Sequence, residues 1–356
     1  MLAEKRQNKL AFVAAFLIPL FLVLGIVLGS VSFSAQEIVQ CIFDNCDDTT
    51  ADILWKIRLP RTIGALIGGA GLAVSGLLLQ SLFRNPLAGP GILGITSGAS
   101  FGVAVLVMGG VSAGVGIALI GVESIFVAAL GGSFLTTLLL LSLVRFLANS
   151  TTLLLVGLMI NWIIGSAIAV LGILAQQQNL QLFYVWTLGS FAPTTIHSIY
   201  FMVSIIIPAI AVSIFYYKKL DASLLGDDYA KSIGVNIKSL QKFSIVVSSV
   251  LVAAVTSVAG PIGFIGIAGP YLARLTSKSG SHRMIIPLAI VYGSLLTVIA
   301  DIAARLILKP IDLPITIITA LIGGPIVIFM LVKKRGEGLS QEGLKTCHLG
   351  ILRHLR

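Results

Sequence analysis

A chain of 356 residues that is 57% hydrophobic and only 11% charged, with a mean hydropathy of +1.03, cannot cover a water-exposed surface of its size. Soluble domains carry about 25% charged residues. The net charge of +10 would otherwise point to nucleic acid, but in so apolar a chain the placement of Lys and Arg reports orientation across a bilayer. A soluble enzyme and a nucleic-acid-binding module are both excluded, leaving an all-α polytopic membrane protein.

The apolar residues fall in blocks of about twenty, the length a helix needs to cross about 30 Å of hydrocarbon. They predict about ten spans, at 10–30, 61–81, 92–109, 117–145, 152–175, 197–217, 242–259, a short one at 263–276, 284–307 and 314–332. The first follows Lys5, Arg6 and Lys9 and resembles a signal peptide, but its apolar run is longer than a signal core, so it is read as a span. The polar loop after it holds Cys41 and Cys46. These either pair, if the loop faces an oxidising compartment, or remain two thiols; Cys347 lies in the tail. Span two carries Ala65, Gly69 and Ala73 at four-residue intervals, a small-residue stripe for close helix packing. Residues 1–335 form one membrane domain and 336–356 a polar tail.

With the N-terminus in the cytoplasm, nineteen of the 24 basic residues fall on that side. Only Lys56, Arg58, Arg61, Arg305 and Lys309 fall on the other, which instead collects Glu37, Asp44, Asp47, Asp48, Asp52 and Asp312. The positive-inside rule then places both termini in the cytoplasm. In this topology the stretches AGPGILGIT (Ala88–Thr96) and AGPIGFIGIA (Ala259–Ala268) follow spans of opposite direction. That is the pattern of an inverted internal repeat with helices broken by Gly and Pro at the midplane.

Several longer stretches carry a family resemblance. They are IRLPR (Ile57–Arg61), GLLLQSLFRNPLAGPGILGITSGAS (Gly76–Ser100), LLLVG (Leu153–Gly157), YVWTLGSFA (Tyr184–Ala192), LLGDDYAKSIGVNI (Leu224–Ile237), GPIGFIGIAGPYLAR (Gly260–Arg274), ADIAAR (Ala300–Arg305) and LPITIITALIGGP (Leu313–Pro325). In order and spacing they resemble the permease subunit of binding-protein-dependent ABC importers for iron–siderophores, haem and cobalamin, the FecCD type. The likeness covers about residues 10–335; Thr316 and Tyr271 depart from it, and the tail has no counterpart. It implies the type II importer fold with ten helices, located in the cytoplasmic (inner) membrane. It also implies a second permease subunit, two cytoplasmic ATP-binding subunits and a periplasmic or lipid-anchored substrate-binding protein. The expected cargo is an iron–siderophore chelate, with haem or cobalamin as alternatives, and no cofactor or catalytic residue is expected.

The polar loop from Lys218 to Lys242 holds a short helix. Gly226 breaks the chain, Asp227 and Asp228 favour the helix N-terminus, Ala230 continues it and Gly234 ends it. The helix is expected over Leu224–Ile233, where Leu225, Tyr229 and Ile233 recur at four-residue spacing on one face, and a helix with nothing of its own to pack on seeks a partner's groove. By resemblance this is the coupling helix that docks into the ATPase; otherwise it lies on lipid headgroups. Arg58, Arg61 and Arg305 stand against the charge bias. The resemblance makes them receptors for acidic side chains of the binding protein, as a bidentate guanidinium suits; an i,i+4 pair of Arg305 with Asp301 is the structural alternative. By resemblance Ser150 and Thr151, beside Asn149 and Thr152, form the cytoplasmic gate.

Two near-misses are set aside. Gly338–Thr346 (GLSQEGLKT) has one residue too many for a phosphate-binding loop and follows a span where a strand is needed, so the ATPase is a separate chain. No His, Cys and carboxylate cluster has metal-ligand spacing, and His197, His282, His348 and His354 fall at span ends or in the tail. A secondary carrier would need a midplane charge or coupling-ion site, and Glu123 and Asp301, both near outer ends, do not supply one.

Overall fold

The computed structural model describes residues 16–43, 46–109, 121–146, 150–277, 280–329 and 332. The extreme ends of spans one, four and ten, Asp44, Asn149 and the entire 336–356 tail with its near-miss phosphate motif lie outside the described residues.

Six helices are long and apolar enough to cross a membrane. They are α3 (Asp48–Phe83), α5 (Val122–Val144), α6 (Ser150–Leu174), α8 (Ile196–Phe215), α11 (Ile237–Ala259) and α13 (His282–Leu306). Three shorter apolar helices, α1 (Phe16–Val27), α4 (Ile95–Gly109) and α14 (Ile315–Phe329), and the 13-residue α12 (Ile265–Ser277), fill the remaining expected positions. Outside the spans lie α2 (Ala35–Ile42), α7 (Gln177–Thr187), α9 (Tyr217–Leu224) and α10 (Asp227–Ser232). No strand occurs among the described residues.

The central element is α3, buried over 89% of its most apolar stretch, whereas α6 is buried over only 17% of its own. Composition explains the difference. Small residues let α3 approach its neighbours backbone to backbone: a Cβ on Gly69 would overlap the Gly293 carbonyl of α13, and one on Gly76 would overlap the Gly266 carbonyl of α12. The same device joins α4 to α5, where Gly102 meets the Ala128 carbonyl and Gly132 meets that of Gly98. In lipid, where apolar side chains gain little by leaving the solvent, such close van der Waals packing drives association. By contrast α6 presents Met159, Trp162, Ile163, Ile173 and Leu174 outward, a face suited to lipid or to another subunit.

At 36 residues α3 is longer than the expected span, because a polar extension from Asp48 and a π-helical stretch, Asp52–Arg58, precede the apolar part. Lys56 and Asp52 pair on its exposed surface at 2.6 Å. Arg84 ends the helix in a left-handed conformation, φ 46°, which closes the last turn. A disulfide between Cys41 and Cys46 ties the end of α2 to the start of α3; of the two readings open from sequence, the paired one is realised. The Ser34 hydroxyl and the Glu37 carboxylate cap α2 reciprocally, a capping box.

The two echoed Gly-Pro stretches meet in space. Pro90–Leu93 forms a 3-10 turn that starts α4, and Gly260–Phe264 forms the turn that starts α12, with φ of +71° at Gly260 and +65° at Phe264. A Cβ on Gly266 would overlap the Pro90 ring. Both turns therefore lie side by side, in the manner of the broken helices of inverted-repeat transporters.

Candidate functional site

Polar chemistry gathers at both ends of the bundle and around the paired turns. The end carrying residues 84, 145 and 227 is termed basic, the end carrying residues 61, 301 and 312 acidic.

At the basic end, α9 and α10 form the loop between α8 and α11. Gly226 separates them with φ +118°, Gly234 ends α10 with φ +85°, and both values belong to the left-handed region that glycine alone enters freely. Gly226 splits the expected Leu224–Ile233 helix: Leu224 ends α9, Leu225 caps it, and Ile233 follows α10. Leu225, Tyr229 and Ile233 therefore do not share one helical face, yet they are 68%, 50% and 54% exposed among the described residues. Ala230 within α10 is buried. Asp228 pairs with Lys231 at 3.1 Å, and Asp227 pairs with Arg84, whose Nε donates to the Ser223 carbonyl at 3.0 Å. The loop is thus braced by the chain while its apolar side faces outward.

At the acidic end, Arg58, Arg61 and Arg305 lie near one another, but not as an exposed set. They are 4%, 5% and 2% exposed, which corrects the expectation that they sit open on the outer surface. Arg61 donates Nε to Asp301 at 2.9 Å and Nη1 to Asp312. Arg305 lies 2.7 Å from Asp301, the i,i+4 pair weighed from sequence, and also donates to the Gly25 carbonyl at 2.9 Å. Arg58 donates to the carbonyls of Ile26, Val27 and Val31 and stacks over the Phe33 ring at 4.8 Å. The segment that ends α1 therefore covers the cluster, because its unpaired C-terminal carbonyls need donors and buried guanidiniums need acceptors.

Between the ends, the two Gly-Pro turns line a cavity of about 360 Å³ with Pro90, Gly91, Thr96, Asn161, Pro261 and Phe264 on its wall. Asn161 of α6 holds the first turn. Its Nδ2 donates to the carbonyls of Gly91 (2.9 Å) and Ile92 (3.2 Å), and its Oδ1 accepts from Ser97 (2.6 Å). The sequence reading passed over this residue. The available signal was an amide inside an apolar span, which in a membrane seeks a partner on another element.

Ser150 begins α6 at the basic end, where its hydroxyl accepts from Gln241 Nε2 at 3.3 Å, and Thr151 beside it is exposed. A second feature there escaped the sequence reading. His282 places Nε2 2.6 Å from Ser81 Oγ and Nδ1 2.6 Å from Asp221 Oδ1. The order Ser–His–Asp has the distances of a hydrolytic triad, yet Ser81 is 2% and His282 1% exposed, and the Ser81 hydroxyl donates to the Leu77 carbonyl at 2.9 Å. With no room for a substrate at the hydroxyl, the constellation is structural. Among the described residues no group of three His, Cys, Asp or Glu side chains is placed to hold a metal ion.

Comparison with known proteins bears on this arrangement. The model of the FecCD transport family matches residues 17–333. The hemin transport system permease protein HmuU of Yersinia pestis is 34% identical over 327 residues, 90% of this chain and 96% of its own. The vitamin B12 import system permease protein BtuC of Klebsiella pneumoniae is 34% identical over 287 residues, 80% of this chain and 84% of its own. Among solved structures, a metal-chelate type ABC transporter in an inward-facing conformation superposes with a TM-score of 0.81 at 27% identity, covering 92% of this chain and 99% of that one.

Proposed function

The chain belongs to the FecCD transport family and is a non-catalytic ABC importer permease, and from that premise we propose that it carries an iron chelate, siderophore or haem, into the cytoplasm. The observation that carries the cargo class is the pair of relatives named for hemin and vitamin B12: both cargoes are bulky metal chelates, which a permease passes whole. The hemin relative, matching over the larger share of this chain, favours iron over cobalt.

In this reading α10 and the residues flanking it dock into a cytoplasmic ATP-binding subunit through Leu225, Tyr229 and Ile233. Their exposure outside the spans supports it, since a soluble surface rarely leaves such a row uncovered without a partner. The basic end then faces the cytoplasm and both termini lie there. The Cys41–Cys46 disulfide at the opposite end supports this, because disulfides persist in oxidising compartments. A substrate-binding protein docks over Arg58, Arg61 and Arg305. Three guanidiniums against Asp301 and Asp312 leave one positive charge for an incoming carboxylate, and displacement of the Gly25–Val31 segment would open it. A second permease subunit, identical or related, packs on the outward face of α6, and Ser150 and Thr151 close the path at its cytoplasmic end.

Uptake into proteoliposomes holding the permease, its ATPase and its binding protein tests the cargo. The expected result is ATP-dependent accumulation of radioactive iron supplied as a hydroxamate siderophore or as haemin. Accumulation of cobalamin alone would overturn the iron reading.

A further inference from the structure

The Ser81–His282–Asp221 constellation joins three elements that the importer mechanism must move together. Asp221 lies on α9, in the same loop as α10. Its Oδ1 accepts from the backbone N–H of His282 at 2.7 Å as well as from the ring, and its Oδ2 accepts from Ser281 Oγ at 2.8 Å. A carboxylate from α9 thus satisfies a free N–H in the first turn of α13 and lies favourably at the positive end of that helix. The imidazole carries the connection onward to Ser81, two residues before the end of α3. Arg84, just past that end, grips the loop again through Ser223 and Asp227, on either side of Gly226. The loop is therefore fixed to α3 and α13 at two points. Those two helices meet backbone to backbone at Gly69 and Gly293, and Arg61 and Asp301 tie them together at the far end.

We propose that Ser81, His282 and Asp221 are positioning residues that deliver displacement of the ATPase-docking helix α10 to the α3–α13 pair. This rests on the reading of α10 as an ATPase-docking helix. Without the linkage, α10 stays docked and the ATPase still turns over, but α9 slides on the ends of α3 and α13 instead of moving them. A buried imidazole with both nitrogens bonded suits the task, since a partly satisfied buried network would cost more than an apolar contact.

The test uses the full transporter with its ATPase, the Cys347→Ser background and spin labels at Phe146→Cys and Leu275→Cys, two exposed positions. Phe146 follows α5, and Leu275 is on α12, which packs on α3 and α13. ATP with vanadate is expected to shift the distance distribution between the labels in the parent. In His282→Ala the shift in population ratio falls about fivefold or more, while ATP hydrolysis stays within about twofold of the parent. Asp221→Asn keeps one oxygen, able to accept from both the imidazole and the backbone N–H, and retains the shift, which loss of fold would not allow. If His282→Ala fails to assemble, Ser81→Ala, which removes only the Ser81–His282 contact and leaves Arg84 in place, shows the same uncoupling. A full vanadate-dependent shift in His282→Ala or Ser81→Ala overturns the linkage alone. A parent without any nucleotide-dependent shift removes the ATP-driven reading, and the linkage falls with it.

Discussion

Arg61 has both sides of its guanidinium fork engaged by acidic side chains of its own chain, Asp301 and Asp312. An Arg fork at the outer surface suits a partner's carboxylates, and the sequence reading favoured that role. What sequence could supply was the i,i+4 spacing of Asp301 and Arg305; the third member, 240 residues away, is brought in only by α3–α13 packing. Removing one partner of a buried ion pair leaves an uncompensated charge and costs about 3–5 kcal/mol. Arg61→Glu, which adds a like charge beside Asp301, is therefore expected to lower thermal stability in detergent and reduce expression. An Arg61→Glu protein with unaltered melting would contradict a structural role for the buried Arg61–Asp301 pair. Asp221 gives a second prediction. Partial burial pushes its carboxyl up, but bonds from the His282 ring, the His282 N–H and Ser281 outweigh this and hold it below the usual carboxylate range. A carboxylate with a depressed folded value contributes stability that is present above its unfolded pKa, about 3.9, and lost as pH falls through the folded value. The melting temperature of the parent should exceed that of Asp221→Asn at pH 6, and the gap should close below about pH 4. A gap that widens on acidification would contradict the assigned bonding.

At the scale of the element, the spans were legible because hydrocarbon imposes a length and an apolar content that few sequences hide. The exceptions have local causes. The polar run from Asp48 to Arg58 concealed that α3 continues outward by π-helical turns, and the short helix α7 (Gln177–Thr187) is too polar to register as a span. Ala65, Gly69 and Ala73 identified the packing stripe of α3 correctly, but Gly76, on the same helix and against the Gly266 carbonyl, was noticed only as part of a family motif. Pairing of Gly69 with Gly293 and of Gly76 with Gly266 depends on helix depth and rotation, which one sequence does not specify. Replacing Gly76 by Val should force α3 and α12 apart and cost about 1–3 kcal/mol as overpacking, read as a lower melting temperature. The same change at Gly131, whose Cβ position is open, should leave it within about 0.5 kcal/mol. Equal effects at both glycines would argue against backbone contact between α3 and α12.

For the whole molecule, the charge bias, the echoed Gly-Pro turns and the family motifs pointed to one architecture, and α3, α4, α11 and α12 realise it with the two turns sharing a cavity. Cargo identity was not legible because the cavity wall is built of glycine, proline and apolar residues, with Thr96 and Asn161 as its polar side chains. The charge bias makes orientation a direct prediction: an impermeant thiol reagent added from outside should label Asp48→Cys and miss Asp228→Cys in whole cells, and the reverse pattern would invert the topology. The central claim is that this permease is driven by ATP through α10. Leu225 and Tyr229 are exposed in the chain alone, and covering each in a partner's groove is worth about 1.5–3 kcal/mol. The deciding measurement is co-purification of the ATPase together with ATP-dependent uptake in the Leu225→Asp, Tyr229→Asp double variant. The account predicts that the permease still folds and inserts, because the loop supports no span, while the ATPase detaches or hydrolyses without transport. Undiminished uptake with an undiminished complement of ATPase would contradict it.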